Sequence, residues 1–152
     1  MKLEDQVCSL ELATKLKELG VKQDGLFRWY RDRQEAHAHR PPIFYVSQEE
    51  ENSFDECMAD PFTVAELVEM LPVEIEMGEK KDKKRFHRYL AKEYGSFSDE
   101  VQYFVEYQER KTNYEVEVQR CADTEADACA KMLIYLLENK LISSPTPNTS
   151  IR

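Results

Sequence analysis

The sequence predicts an α+β fold, a single domain over residues 1–142 in which an antiparallel β-meander carries about three helices, packed mainly on one face. Three observations predict it. Some segments carry an apolar stripe of helical period between capping-type residues and a glycine, proline or asparagine stop. Others alternate apolar and charged residues with period two. Short polar turns separate successive strand-like runs, which makes them antiparallel neighbours. A chain of 152 residues suits one core, and 41% hydrophobic with 11% aromatic content is enough to outweigh the ordering entropy.

In chain order, Ser9 is an N-cap candidate, and Leu12, Leu16 and Leu19 with Ala13 form the stripe of a short helix. Gly20 falls where a left-handed residue is wanted, and Val21 can fold back on Leu16 in a Schellman stop. LFRWY from Leu26 to Tyr30 and IFYV from Ile43 to Val46 follow turn-like residues and read as strands. Between them RDRQEAHAHR is a hairpin tip or a loop, and QEEENSFDE after Ser47 reads as a second exposed loop.

The middle helix is the best punctuated. Thr63 and Glu66 make a capping box, Phe62 and Leu67 a hydrophobic staple, and Val64, Leu67, Val68 and Leu71 an apolar face that Pro72 terminates. Val73, Ile75 and Met77 then alternate with Glu74 and Glu76 up to Gly78, as in a half-buried strand. The run Lys80, Lys81, Lys83, Lys84, Arg85 and Arg88 reads as a charged turn. RFHRYLAKEY allows either period and is taken as a strand; VQYFVEY and NYEVEV follow as strands joined by the polar turn 109–113. Thr124 with Asp127 opens the last helix, whose stripe is Ala126, Cys129, Met132, Leu133, Leu136 and Leu137, and Asn139 can end it. Residues 143–152 lack period and apolar content, and a disordered tail is expected there.

Composition narrows function. Lys and Arg total 21 against 30 Asp and Glu, a formal charge of -9, so the average field repels phosphate backbones and anionic headgroups. Nucleic acid is therefore an unfavoured partner. No apolar run suits a membrane span or a signal peptide, and Cys8, Cys57, Cys121 and Cys129 have no C-x-x-C spacing, which predicts reduced, mostly buried thiols in a cytoplasmic protein. None of the four glycines builds a phosphate-binding loop, and no cysteine or serine has the flank of a nucleophile, so no catalytic residue and no cofactor is expected.

The positive lead is aromatic. Phe27, Trp29, Tyr30, Phe44 and Tyr45 exceed what one sheet face need bury, which marks them as candidate contacts to a protein partner, with core packing as the plainer alternative. His37 and His39, with Cys57, Asp55 or His87, are the candidate metal set of an alternative reading as a metal-binding protein or enzyme, although their loose spacing favours a solvent-exposed loop. Arg28, Arg31 and Arg33 beside the first helix keep a DNA-binding alternative open, and the acidic surface suggests another, a nucleic-acid mimic that occupies a DNA-binding protein. A helix-turn-helix requires a second helix after Gly20, whereas LFRWY has the density of a strand.

The segments SLELATKLKELGVKQDGLFRW, FTVAELVEMLP and TEADACAKMLIYLLENKLI together resemble small proteins of unassigned activity found in tailed bacteriophages, prophages and gut bacteria. The resemblance covers the three helices and implies a phage or mobile-element setting. It brings no activity, cofactor or site residue.

Overall fold

The computed structural model describes residues 6–31, 44–47, 56–78, 83–94, 101–109 and 116–143. They form α1 (Leu10–Glu18), β1 (Arg28–Arg31), β2 (Phe44–Ser47), β3 (Glu56–Ala59), α2 (Val64–Met70), β4 (Glu74–Met77), β5 (Lys84–Tyr94), β6 (Val101–Glu109), β7 (Val116–Ala122) and α3 (Glu125–Glu138). The fold is α+β with every strand pair antiparallel. The strands divide between two sheets, a three-stranded one of order β2-β1-β3 and a four-stranded meander of order β4-β5-β6-β7. The division falls at α2, which carries the chain away from β3 before β4 begins. The strand β3 occupies ECMA, just past the acidic run expected to be a loop.

Local signals place the helix ends. At the end of α1 the Gly20 amide donates to the Lys17 carbonyl and the Val21 amide to the Leu16 carbonyl, both at 3.0 Å, with Gly20 at a φ of 82°. That is the Schellman pattern, and Leu16 and Val21 are both buried beneath it. At the other end Ser9 holds the N-cap position but makes no side-chain capping bond; its amide instead donates to Asp127 Oδ1 at 2.7 Å, tying α1 to the first turn of α3. Thr63 and Glu66 form the reciprocal capping box of α2, and Phe62 and Leu67 close over it as buried residues. The Thr124 side chain accepts the Asp127 amide at the start of α3.

The helix α3 organises the core. It packs on β6 and β7 and is covered in turn by α1 and α2, while α1 also reaches β3. Ala126, Ala128, Cys129, Ala130, Met132, Leu133, Ile134 and Leu136 are therefore buried almost all round its circumference, a wider face than the stripe alone indicates. From the sheets, Ile75, Phe86, Val105, Tyr107 and Val118 join the same core.

The C-terminal end of α2 is held from outside. Arg88 Nη1 donates to the Val68 carbonyl at 2.7 Å and also to the Leu71 carbonyl, and the Tyr107 hydroxyl donates to the Pro72 carbonyl at 2.6 Å. No basic residue lies in the last turn of α2 itself, so Arg88 supplies from β5 the positive charge that a helix C-terminus favours.

Candidate functional site

The five aromatics predicted to meet a partner lie around β1 and β2, and the structure separates them. The strand β1 is central in its sheet, with Trp29 opposite Val46 on β2 and opposite Ala59 on β3. Trp29 is 8% exposed and its Nε1 donates to the Cys8 carbonyl at 3.2 Å; Tyr30 is 4% exposed and its ring stacks on Tyr45 with centroids 5.7 Å apart. Phe27 is buried as well. These three are buried residues and not partner contacts, a correction: Trp29 is covered on one face, where it meets Cys8, and Tyr30 on the other, where it meets Tyr45. Phe44 is 39% exposed and Tyr45 is half-buried, so of these five aromatics only the two on β2 leave surface outside.

The other candidates do not converge. Arg28 lies 3.9 Å from the buried Asp60, Arg31 is exposed, and His87 Nδ1 faces Glu74 Oε1 at 3.2 Å on the neighbouring strand. Burial pushes the Asp60 carboxyl above the ordinary range, against the opposing pull of Arg28 and of the Gly25 amide. Among the described residues no three His, Cys, Asp or Glu side chains gather as a metal site would need. His37, His39, Asp55 and Arg33 lie outside the described residues. Cys8 and Cys129 are buried thiols raised to about 12 by desolvation, a poor setting for a nucleophile, while Cys57 and Cys121 are exposed rather than buried as expected. In the basic run, Lys83 and Arg85 both pair with Glu76, at 3.1 and 3.4 Å, and Lys84 pairs with Glu109 at 2.9 Å.

A different surface stands out from the strand lengths. β5 has 11 residues and β4 has 4, so β4 pairs only with Lys84–His87, and Arg88 adds one further bond from its amide to the Val73 carbonyl at 2.9 Å. Antiparallel strands alternate the side to which each residue's amide and carbonyl point. Because Arg88 points toward β4, Leu90, Lys92 and Tyr94 point the same way, and no strand among the described residues meets them there. Their side chains lie on the same sheet face as the buried Phe86, yet Leu90 is 43% and Tyr94 69% exposed. Val101 and Tyr103, opposite on β6, extend this face, and Lys92 Nζ sits 5.3 and 5.4 Å from the ring centres of Tyr94 and Tyr103. The result is an apolar and aromatic strip with one ammonium at its centre, bordered by backbone that pairs with no strand among the described residues. Sequence reasoning passed over it because RFHRYLAKEY fits two periods. The one signal for it was the short EIEM strand beside a long one.

A second depression of about 680 Å³ lies between α1 and α3, with Leu12, Ile134 and Tyr135 in its lining. Most of its charges are engaged: Lys15 pairs with Glu138 at 3.2 Å, Arg120 stacks 4.1 Å over Tyr135, and Lys131 donates to the Cys121 carbonyl at 3.1 Å. Lys15, Arg120, Lys131 and Glu138 are thus spent within the fold, while Glu11, Thr14 and Glu18 complete the lining.

No protein-family model, no curated protein and no solved structure matches this chain. Its own geometry is therefore the guide to its function.

Proposed function

We propose that the protein is a non-catalytic interaction module that receives a protein partner on the open strip of β5 and β6. The observation that carries this reading is the exposure of Leu90 and Tyr94 on a sheet face whose other half, at Phe86, is core. Apolar area left contiguous with a core face is the usual signature of a surface completed by a partner. The resemblance of the three helical segments supports a phage or mobile-element setting, in the cytoplasm of a bacterial or phage-infected cell, where four free thiols stay reduced. No described helix is long and apolar enough to cross a membrane.

The test places a photo-cross-linking amino acid at Tyr94 and, as control, at Glu117, an exposed site on β7. In the native host a discrete adduct is expected from position 94 and none from 117, and Leu90→Asp should remove it. Equal labelling at both positions, or turnover of a substrate in a broad hydrolase screen, would overturn the reading.

A further inference from the structure

The open side of β5 specifies more than a partner of unstated kind. Building on the interaction-module reading, we propose that an extended acidic peptide adds as a fifth strand beside Leu90–Tyr94. Each of Leu90, Lys92 and Tyr94 presents an amide and a carbonyl toward the open side, the pattern that strand addition requires. Neither proline nor a bulge interrupts the pairing of this stretch with β6, so the strand is straight enough to template another.

Charge selects the occupant. Lys92 occupies the middle of the three outward positions on the strip face, and among the described residues no carboxylate forms an ion pair with it; its neighbours are the two tyrosine rings. An Asp or Glu directly opposite Lys92, with apolar residues two positions to either side against Leu90 and Tyr94, completes the face.

A second copy of the chain fits badly. An antiparallel pair centred on Lys92 opposes two ammonium groups, and one centred on Glu93 opposes two carboxylates. Centring on Ala91 sends Tyr94 of the copy onto the Arg88 backbone, whose amide is already bonded to Val73. The same lysine that guards the edge against a copy therefore selects an acidic strand.

The experiment selects binders to the full chain from a random ten-residue peptide library, then measures the enriched peptide by fluorescence anisotropy. A consensus with an acidic residue flanked at both second neighbours by apolar ones is expected. Lys92→Glu should weaken binding at least tenfold, with recovery when the peptide's acid is changed to Lys. N-methylation of alternate peptide amides should abolish binding for one set of amides and spare it for the other. Leu90→Pro removes an outward amide from an edge position, where proline is tolerated, and should also abolish binding, with circular dichroism checking its fold. No enrichment over a target-free control, a basic consensus, or equal loss from both methylation sets would overturn the proposal. So would a concentration-dependent dimer in sedimentation that is lost on Leu90→Pro, since the edge would then belong to a second copy. A partner that cross-links at Tyr94 but tolerates Lys92→Glu and Leu90→Pro removes strand addition while leaving the interaction module standing.

Discussion

Replacing Arg88 with Met tests whether β5 holds the end of α2. The substitution keeps most of the aliphatic stem and removes the guanidinium, which donates to the Val68 and Leu71 carbonyls from a partly buried position. Hydrogen bonds involving a charged group contribute about 1.5–3 kcal/mol each, but both arise from one nitrogen and water can reach the vacated site. A loss of about 2–3 kcal/mol is therefore expected, more than the roughly 0.5 kcal/mol of a typical surface change. Urea unfolding followed by the fluorescence of the single tryptophan, Trp29, reads the effect, with far-ultraviolet circular dichroism as the second probe. At a slope of about 2 kcal/mol per molar urea, the midpoint falls by about 1–1.5 M. Arg85→Met is the control, since Arg85 is an exposed strand residue paired only with Glu76. Tyr107→Phe, which removes the bond to the Pro72 carbonyl, should cost about 1 kcal/mol, and the double variant should depart from additivity because both groups hold one turn. A loss for Arg88→Met no larger than for Arg85→Met would refute the clamp.

Three further outcomes are expected at single positions. Lys140 sits at a φ of 55° in the C-prime position of α3, where its amide donates to Leu137 and that of Leu141 to Leu136; Lys140→Gly should raise stability by about 0.5–1 kcal/mol in the same urea assay. Asp60 has its carboxyl raised by burial, so between the ordinary carboxylate range and its own raised titration this group binds more protons in the folded state than in the unfolded one, and its contribution to stability falls as pH rises. Asp60→Asn removes that slope: the stability of the variant minus that of the parent should grow with pH across this window, and a flat or falling difference would contradict the assignment. An aromatic disulfide reagent should titrate Cys57 and Cys121 in the native protein and reach the buried Cys8 and Cys129 only after unfolding.

What was legible in the sequence was local. The Thr63–Glu66 box and the Gly20 stop each close over a few residues, so residue type and spacing determine them, and both hold in atomic detail. The alternation in EIEM and in NYEVEV marked strands for the same reason, whereas RFHRYLAKEY, which became β5, allowed either period. Ser9 shows where this ends: its position is that of a cap, but its amide is satisfied by Asp127, 118 residues away, a partner no window contains. The aromatics of β1 were misassigned through another non-local fact. Whether Trp29 and Tyr30 are covered depends on what packs on each face of the sheet, Cys8 from 21 residues before Trp29 and Tyr45 from the neighbouring strand, and no window around RWYR contains either. The same limit hid the open strip, since nothing within RFHRYLAKEY states how far its neighbour extends.

The open edge and the α2 clamp are one feature seen from two sides. Continuing the β4–β5 register past Val73 and Arg88 would bring Pro72 opposite Tyr89 and Leu71 opposite Leu90. Leu71 is the residue whose amide and carbonyl would have to serve Leu90, and both are taken: the amide donates to the Leu67 carbonyl inside α2, and the carbonyl accepts from Arg88. The ladder stops at Val73, so among the described residues no strand pairs with the side of β5 beyond Arg88, a consequence of how α2 ends. Arg88→Met then acts on both at once. Freeing the Leu71 carbonyl loosens the last turn of α2 and allows β4 to lengthen toward Leu90, which would compete with an added strand. Weaker peptide capture in this variant, with Lys92 and Tyr94 untouched, is the expected sign of that competition; unchanged capture alongside the predicted loss of stability would show the two to be separable.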